Sequence, residues 1–179
     1  KFSEKYLLKN QRILDLGCGG GIISASLYRK KLNQSFYLSD LDLLAVKRAK
    51  KNLEPIKTNF TIKQGNLFEP WKKQKFDLII NDVSGVSSHV AKISSWFKNV
   101  PIDSSISGTN LLKRVVDKCE NYMNSNSTFI TPIISLSNVK KAKSFLKKKL
   151  KIIFIKEFDW PLPQTMMSNI KVLEKLKKD

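Results

Sequence analysis

Along this sequence, short apolar runs of strand length alternate with longer segments whose apolar residues recur at helical spacing. The predicted strands cover residues 12–16, 36–39, 59–64, 76–81, 128–134 and 152–158. The predicted helices cover residues 20–31, 42–52, 87–97, 109–123, 138–150 and 168–178. Strands that alternate with helices indicate a parallel sheet covered on both faces, so the pattern predicts a Rossmann-like, doubly wound α/β fold with a mostly parallel sheet. Since no linker or repeat interrupts the pattern, a single domain is expected to span residues 1–179.

The turn after the first predicted strand is rich in glycine. Residues 15–21 read Asp-Leu-Gly-Cys-Gly-Gly-Gly, and ligands of such sheets bind beyond the carboxyl ends of the strands. Glycine lets the backbone approach a ligand closely, and the following helix offers free N–H groups. The dinucleotide fingerprint needs a glycine where this chain has Ile22, which disfavours a nicotinamide oxidoreductase. A carboxylate at Asp15 would repel a pyrophosphate and suits a ligand that carries an ammonium group, as S-adenosylmethionine does.

Polar residues also follow the next three predicted strands. Asp40 stands 40 − 17 = 23 positions after Gly17, a spacing that suits hydrogen bonds to ribose hydroxyls. After the third strand, the amide of Asn66 could bind an adenine amino group, and the fourth strand ends at Asn81 and Asp82 in the same crevice. The predicted cofactor-binding residues are Asp15, Gly17, Cys18, Gly19, Gly21, Asp40, Leu41, Asn66, Leu67 and Asn81.

Together these features resemble the class I S-adenosylmethionine-dependent methyltransferases. Residues 15–21 are similar to the family's first motif, Asp40 to its ribose acid, residues 65–67 to its adenine segment and residues 76–81 to its fourth strand. The phrases Gly-Asn-Leu-Phe-Glu-Pro and Phe-Asp-Leu-Ile-Ile-Asn are most similar to the "small" branch, which includes release-factor glutamine methyltransferases and several RNA N-methyltransferases. The resemblance implies an enzyme that uses S-adenosylmethionine to methylate an acceptor.

The substrate motif of that branch is altered in this chain. Where the branch has Asn-Pro-Pro-Tyr, this sequence reads Asn81-Asp82-Val83-Ser84. The expected catalytic residues are Asn81, which could accept hydrogen bonds from a target amine, and Asp82, which could act as a base. Asn66 also replaces an acidic residue of the family and keeps an acceptor. Methyl transfer needs little beyond alignment of the acceptor with the methyl carbon, so activity is still expected.

The resemblance also implies an antiparallel hairpin that closes the sheet. Residues 159–163, Asp-Trp-Pro-Leu-Pro, stop the sixth predicted strand, and a lysine-rich helix follows. We therefore expect the final antiparallel strand to be missing from this segment. We favour a native chain that continues past Asp179, because loss of that strand would leave a central edge of the sheet unpaired.

The charge of the chain points to an anionic partner. The sequence has 33 basic and 15 acidic residues, a net charge of +18, and only four of the basic residues are arginine. A field of this sign favours phosphate backbones or acidic protein surfaces, so the acceptor is expected to be a protein or an RNA. Genomic bias toward lysine codons is the alternative. No apolar run approaches the roughly 18 residues of a membrane span, and the oligomeric state stays open.

Cysteine and histidine are too few to build a metal site. Cys18 and Cys119 form no CxxC pair, and His89 is the single histidine, so neither zinc nor a disulfide framework is expected. Such cysteine usage indicates a reducing, cytoplasmic location.

Three hypotheses about function follow. The first is S-adenosylmethionine-dependent methyl transfer to a macromolecule, a translation-related protein or RNA. The second is a methyltransferase fold that no longer catalyses and instead binds RNA or a protein, which the altered segment 81–84 motivates. The third is a methyltransferase whose acceptor is a small metabolite.

Overall fold

The computed structural model describes residues 3–30, 33–56, 59–98, 100–103, 105–169 and 171. Its strands are β1 (Arg12–Leu16), β2 (Ser35–Asp40), β3 (Phe60–Gln64), β4 (Phe76–Asn81) and β5 (Met123–Ile130). They form one sheet in the order β3-β2-β1-β4-β5, and all four neighbouring pairs are parallel. The predicted α/β fold with a parallel sheet is confirmed.

Helices separate most of the strands. The α-helices are α1 (Ile22–Tyr28), α2 (Leu43–Leu53), α3 (Ser88–Ile93), α4 (Asn110–Cys119), α5 (Val139–Lys149) and α6 (Gln164–Met167). Short 3-10 turns lie at Ser3–Tyr6, Glu69–Trp71, Ser95–Phe97 and Glu120–Tyr122. None of the helices among the described residues is long and apolar enough to cross a membrane.

The chain divides into two compact units, and the first, Lys1–Val83 with Lys118–Pro132, contains the whole sheet. The central strands β1 and β4 are buried almost throughout, as expected for parallel strands covered on both faces. Edge strand β5 is the most polar strand and is only half-buried or exposed. The core of this unit is built from Leu7, Ile13, Cys18, Leu27, Phe36, Leu38, Ala49, Leu53, Leu78 and Ile80.

The second unit, Ser84–Asp117 with Ile133–Asp179, has a smaller core of its own. That core consists of Val86, Val90, Ala91, Leu136 and Met166. The buried carboxylate of Asp103 accepts hydrogen bonds from the backbone N–H groups of Ser105 and Leu111, both at 2.7 Å. Gly108 has a φ of +65°, and a Cβ there would lie 2.4 Å from the Ser87 nitrogen, so this tight contact requires glycine.

The prediction of a sixth strand over residues 152–158 is wrong. That segment has no regular secondary structure, and Ile153 and Ile155 are 65% and 53% exposed. β-propensity describes how well a side chain packs on a pleated surface, so an apolar run becomes a strand only where a sheet receives it. Among the described residues the sheet has five strands, and all of their pairings are parallel.

Further helix and strand boundaries differ from the sequence expectations. The helix predicted over 109–123 ends at Cys119, and β5 begins at Met123 rather than at 128. This strand ends at Ile130 because Pro132 has no N–H to donate to a ladder. The helix predicted over 87–97 is interrupted at Ser94, whose side chain accepts from the Trp96 N–H at 3.2 Å and starts a separate 3-10 turn. The helix predicted over 168–178 lies largely outside the described residues.

Candidate functional site

Sheet register brings the predicted site segments together at one edge of the first unit. The last residue of β1, Leu16, is paired with Ser39 of β2 on one side and with Asn81 of β4 on the other. Asp40, one residue further along β2, is paired with Gln64, the last residue of β3. Because these strands are parallel, the loops that follow them leave the sheet side by side.

The glycine-rich loop after β1 needs glycine for two different reasons. Gly17, Gly19 and Gly21 have φ values of 73°, 52° and 76°, in the left-handed region that favours glycine. A Cβ at Gly17 would lie 3.0 Å from the backbone of Asp82, so the β1 and β4 loops touch there. A Cβ at Gly19 would meet nothing within 4 Å. A Cβ at Gly21 would lie 2.9 Å from the Leu53 side chain, so the loop packs tightly at Gly17 and at Gly21 and leaves open space beside Gly19.

Asp40 ties this loop to the end of β2. Its Oδ2 accepts a hydrogen bond from the Gly19 N–H at 2.9 Å, and its Oδ1 accepts from the Asp42 N–H at 2.9 Å. Each carboxylate oxygen can accept about two hydrogen bonds, so capacity is left for ligand hydroxyls. The neighbouring Leu41 is 53% exposed and flanks the same edge.

Asp15 is the most strongly perturbed acid of the site. Its side chain is fully buried in β1, Oδ2 accepts from the Ser24 hydroxyl at 2.7 Å, and Oδ1 has no hydrogen-bond partner among the described residues. The pKa of Asp15 is raised to about 7: burial is the largest cause, the Ser24 hydrogen bond opposes the rise, and the carboxylates of Asp82 and Asp40 add to it. A buried carboxyl with one unpartnered oxygen fits a cationic group of a ligand.

The end of β4 holds the two predicted catalytic residues. Asn81 is buried, its Nδ2 donates to Thr131 Oγ1 at 3.0 Å, and its Oδ1 has no partner among the described residues. Asp82 is exposed, and its N–H donates to the Leu16 carbonyl at 2.8 Å. Protein atoms around the carboxyl raise the pKa of Asp82 by desolvation although the residue keeps access to solvent. The two residues therefore present a buried acceptor beside an exposed acid.

The loop after β3 has a strained backbone at the predicted adenine segment. The Gly65 N–H donates to the Asp40 carbonyl at 3.0 Å, which attaches this loop to the end of β2. Leu67 has a φ of 52°, an uncommon conformation for a residue with a side chain, and such strain is concentrated at functional sites. The Asn66 carbonyl accepts from the Glu69 N–H at 3.1 Å and closes the turn.

Cys18 has no properties of a nucleophile. The thiol is buried within the glycine loop, and burial together with the carboxylates of Asp15 and Asp40 raises its pKa. A protonated thiol is a poor nucleophile, so Cys18 fills space and contributes backbone. Its N–H and that of Gly17 both donate to the Ser39 carbonyl, at 3.1 and 2.9 Å.

Two residues that sequence reasoning missed support the site. Ser24 lies on the buried face of α1 and hydrogen-bonds Asp15, and Thr131 follows β5 and orients the amide of Asn81. A buried serine opposite a strand acid was a possible signal for the first. The second depends on where β5 lies in the sheet, and no local pattern could have indicated it. Among the described residues, no group of three or more His, Cys, Asp or Glu could hold a metal ion.

Comparison with known proteins gives a family match for the N-terminal part of the chain. Residues 2–82 match the family profile of the methyltransferase small domain. A ribosomal protein L11 methyltransferase of Thermosipho africanus is 42% identical over 84 residues, which cover 46% of this chain and 31% of that protein. A bifunctional methyltransferase of Rickettsia prowazekii is 29% identical over 157 residues, which cover 82% of this chain and 30% of that protein. The chain thus spans about a third of the length of these curated relatives.

Solved structures show the same fold. The crystal structure of ribosomal protein L11 methylase from Lactobacillus delbrueckii subsp. bulgaricus superposes with a TM-score of 0.64 at 17% identity, covering 87% of this chain and 69% of that one. A precorrin-6y C5,15-methyltransferase from Geobacter metallireducens gives a TM-score of 0.58 at 14% identity, covering 82% and 66%. Residues 2–82 thus match the methyltransferase small domain, and the chain has the fold of these methyltransferases.

Proposed function

We propose that this protein transfers a methyl group from S-adenosylmethionine to a protein or RNA of the translation apparatus, with a protein acceptor favoured. The observation that carries the proposal is the buried Oδ1 of Asn81, an acceptor with no partner among the described residues, at the end of β4 beside the glycine loop. The names of the L11 methyltransferase relatives support the substrate class. The two free cysteines support a cytoplasmic location, where thiols stay reduced.

The residues at the sheet edge fit the cofactor by their chemistry. We assign the ribose hydroxyls to the Asp40 carboxylate and the methionine ammonium to the surroundings of the buried Asp15 carboxyl. The adenine is assigned to the loop of Asn66 and Leu67, and the glycines of residues 17–21 give the backbone close access. When bound, the cofactor supplies a methyl group that its sulfonium already activates, so the chain itself needs to add only position and charge.

Asn81 would position the acceptor. Its Nδ2 is engaged by Thr131, which leaves the carbonyl oxygen as the atom directed at an incoming N–H group. A hydrogen bond from the acceptor nitrogen to this oxygen would satisfy a buried polar atom and hold the nitrogen lone pair in one direction. Asp82, exposed and with a raised pKa, would receive the proton that the acceptor loses.

Two variants test the proposal: Asn81→Ala removes the acceptor oxygen, and Thr131→Val removes the hydroxyl that holds the Asn81 amide. The labelled methyl donor is offered with ribosomal proteins and ribosomes of the source organism, and label transfer and cofactor affinity are measured separately. We expect Asn81→Ala to lower turnover on the order of a hundredfold with cofactor affinity nearly unchanged, because its hydrogen bond forms only with the acceptor. Equal label transfer by the wild-type protein and Asn81→Ala would contradict the role of Asn81.

A second candidate function rests on the altered loop. Asp82, Val83 and Ser84 replace the Pro-Pro-Tyr of the small branch, and a site that had lost catalysis could still bind the cofactor and a macromolecule. Tight cofactor binding with no label transferred to protein or RNA would favour this binding module. Label found only in small molecules would instead favour a metabolite as the acceptor.

A further inference from the structure

A stretch of the second unit carries positive charge with no acidic counterpart. Between Glu120 and Glu157 the sequence has no acidic residue, while residues 139–156 contain eight lysines. On α5 the exposed lysines Lys140, Lys141, Lys147 and Lys148 lie on one face, and Ala142 and Leu146 are buried on another. We call these four lysines the α5 lysine face. Residues seven positions apart are separated by about 10.5 Å along a helix axis. The face therefore has one pair of adjacent lysines, Lys140 and Lys141, and a second pair, Lys147 and Lys148, about 10.5 Å further along the helix.

The arrangement of these lysines is unfavourable for the helix itself. Lys140 and Lys141 lie in the first turn of α5, where the macrodipole repels cations, and that turn has no acidic residue. Lys143 and Lys147 form a like-charge pair at i,i+4 spacing, which also destabilises a helix. Only the lysines of the last turn suit the dipole. The first-turn half of the face, Lys140 and Lys141, is thus placed against the preference of its own helix, which points to an external anion.

Two exposed aromatic residues lie nine and eleven positions after the end of α5 at Lys149. Phe158 and Trp160 are 66% and 76% exposed, and the Lys156 ammonium lies 4.8 Å from the centre of the Phe158 ring. Aromatic rings beside lysines are the pattern by which proteins hold single-stranded nucleic acid, with cations on the phosphates and bases stacked on the rings. Glu157 and Asp159 alternate with these rings in sequence, and their negative charges would repel phosphates. In this arrangement the backbone phosphates would lie on α5 and the bases would stack on Phe158 and Trp160.

We propose that the α5 lysine face, together with Phe158 and Trp160, binds single-stranded nucleic acid through its phosphate backbone and the faces of its bases. Lysine rather than arginine supplies the charge, so binding is expected without base-edge readout and with little sequence preference. An acidic protein would match the lysines but would leave the exposed aromatic rings without a role. The proposal is independent of methyl transfer, since it needs neither the cofactor nor the residues of β1–β4.

The test compares two fourfold variants of the full chain by fluorescence anisotropy with a labelled single-stranded RNA. In the first, Lys140, Lys141, Lys147 and Lys148 are changed to Gln; in the control, the exposed Lys47, Arg48, Lys50 and Lys51 of α2 are changed to Gln. Both lose the same charge. With about −0.7 in the salt slope per phosphate on a single strand, the first variant should flatten the slope of log affinity against log salt by about 3. The control should retain most of the slope, and equal losses in both would overturn the proposal, since overall charge would then suffice.

Two further measurements separate binding from structure and nucleic acid from protein. Lys140→Glu with Lys141→Glu suits the dipole of α5, so the melting temperature should hold or rise while RNA affinity falls at least tenfold. Trp160→Ala should weaken the binding of single-stranded RNA and of single-stranded DNA roughly fivefold or more, because a stacked base is lost. The binding of duplex RNA should weaken far less. Polyglutamate that competes as well as RNA of equal charge, or a Trp160→Ala variant with unchanged affinity, would overturn the nucleic-acid assignment.

Discussion

Asp15 offers a test that joins the stability of the fold to its site. The folded protein raises the pKa of this buried carboxyl from its ordinary 3.8 to about 7. Between these values the unfolded chain ionises Asp15 while the folded chain keeps it protonated, so stability falls as the pH rises through this window. A tenfold change in proton affinity corresponds to about 1.4 kcal/mol, and the full penalty above pH 7 is therefore about 4 kcal/mol.

Asp15→Asn removes the charge and keeps an acceptor for the Ser24 hydroxyl. We expect the variant to be more stable than the wild-type protein at about pH 8, by up to about 4 kcal/mol less the roughly 1–3 kcal/mol that burial of an unpaired amide costs. Near pH 4 the advantage should disappear, because Asp15 is then protonated in the folded chain. The measurement is urea denaturation at both pH values, read from the midpoint.

Asp42→Asn is the matched control, because this acid caps α2 by accepting from the Leu44 N–H, and asparagine caps equally well. Its midpoint should move little at either pH. The gain in Asp15→Asn should also be accompanied by weaker S-adenosylmethionine binding, measured by calorimetry. A variant that is destabilised at pH 8 as much as at pH 4 would refute the electrostatic reasoning, and unchanged cofactor affinity would refute the ligand role.

The other predictions concern the loops around the site. Asp40→Ala should weaken S-adenosylmethionine binding in calorimetry by roughly 1–3 kcal/mol, since a hydrogen-bonded acceptor is lost. Gly17→Ala should lower the melting temperature more than Gly19→Ala, because both have positive φ but only the first Cβ would press against backbone, at 3.0 Å; equal shifts would contradict this packing. Asp82→Asn should flatten the acidic limb of the pH–rate profile, and an unaltered limb would exclude it as the base. Thr131→Val should lower turnover, assayed with labelled donor, with cofactor affinity retained; a loss of affinity instead would indicate a wider disturbance.

The sheet could be predicted where local pattern and environment agree. Strands β1 and β4 read as short apolar runs because both of their faces are buried, and their bounds match the sequence expectation. Residues 152–158 have an equally apolar pattern, yet they are not part of the sheet. Whether an apolar run pairs depends on an available strand edge, which is a property of the whole chain and not of the run. The organisation as a single domain stays a prediction.

The candidate site could be predicted in part for the same reason. Strand-end positions are visible in sequence, so Asp15, Asp40 and Asn81 were expected at one edge, and the parallel register places them there. Their hydrogen-bond partners were not visible, because Ser24 and Thr131 reach the site through helix packing and through the position of β5. The roles assigned to these residues stay predictions until binding and turnover are measured.

Two of the buried side-chain oxygens that have no hydrogen-bond partner among the described residues bear on the choice between an active site and one that has lost its function. Oδ1 of Asp15 and Oδ1 of Asn81 are buried acceptors without a hydrogen-bond partner among the described residues. Each buried, unpaired polar atom lowers the stability of the fold by on the order of 1–3 kcal/mol. Asp15 adds the ionisation penalty above pH 7, which a single change to asparagine would relieve. A fold under no demand for ligand binding would gain stability from that change. The acid at position 15 therefore argues for a ligand that compensates its cost, and the free oxygen of Asn81 argues for a second group that donates to it from the acceptor side.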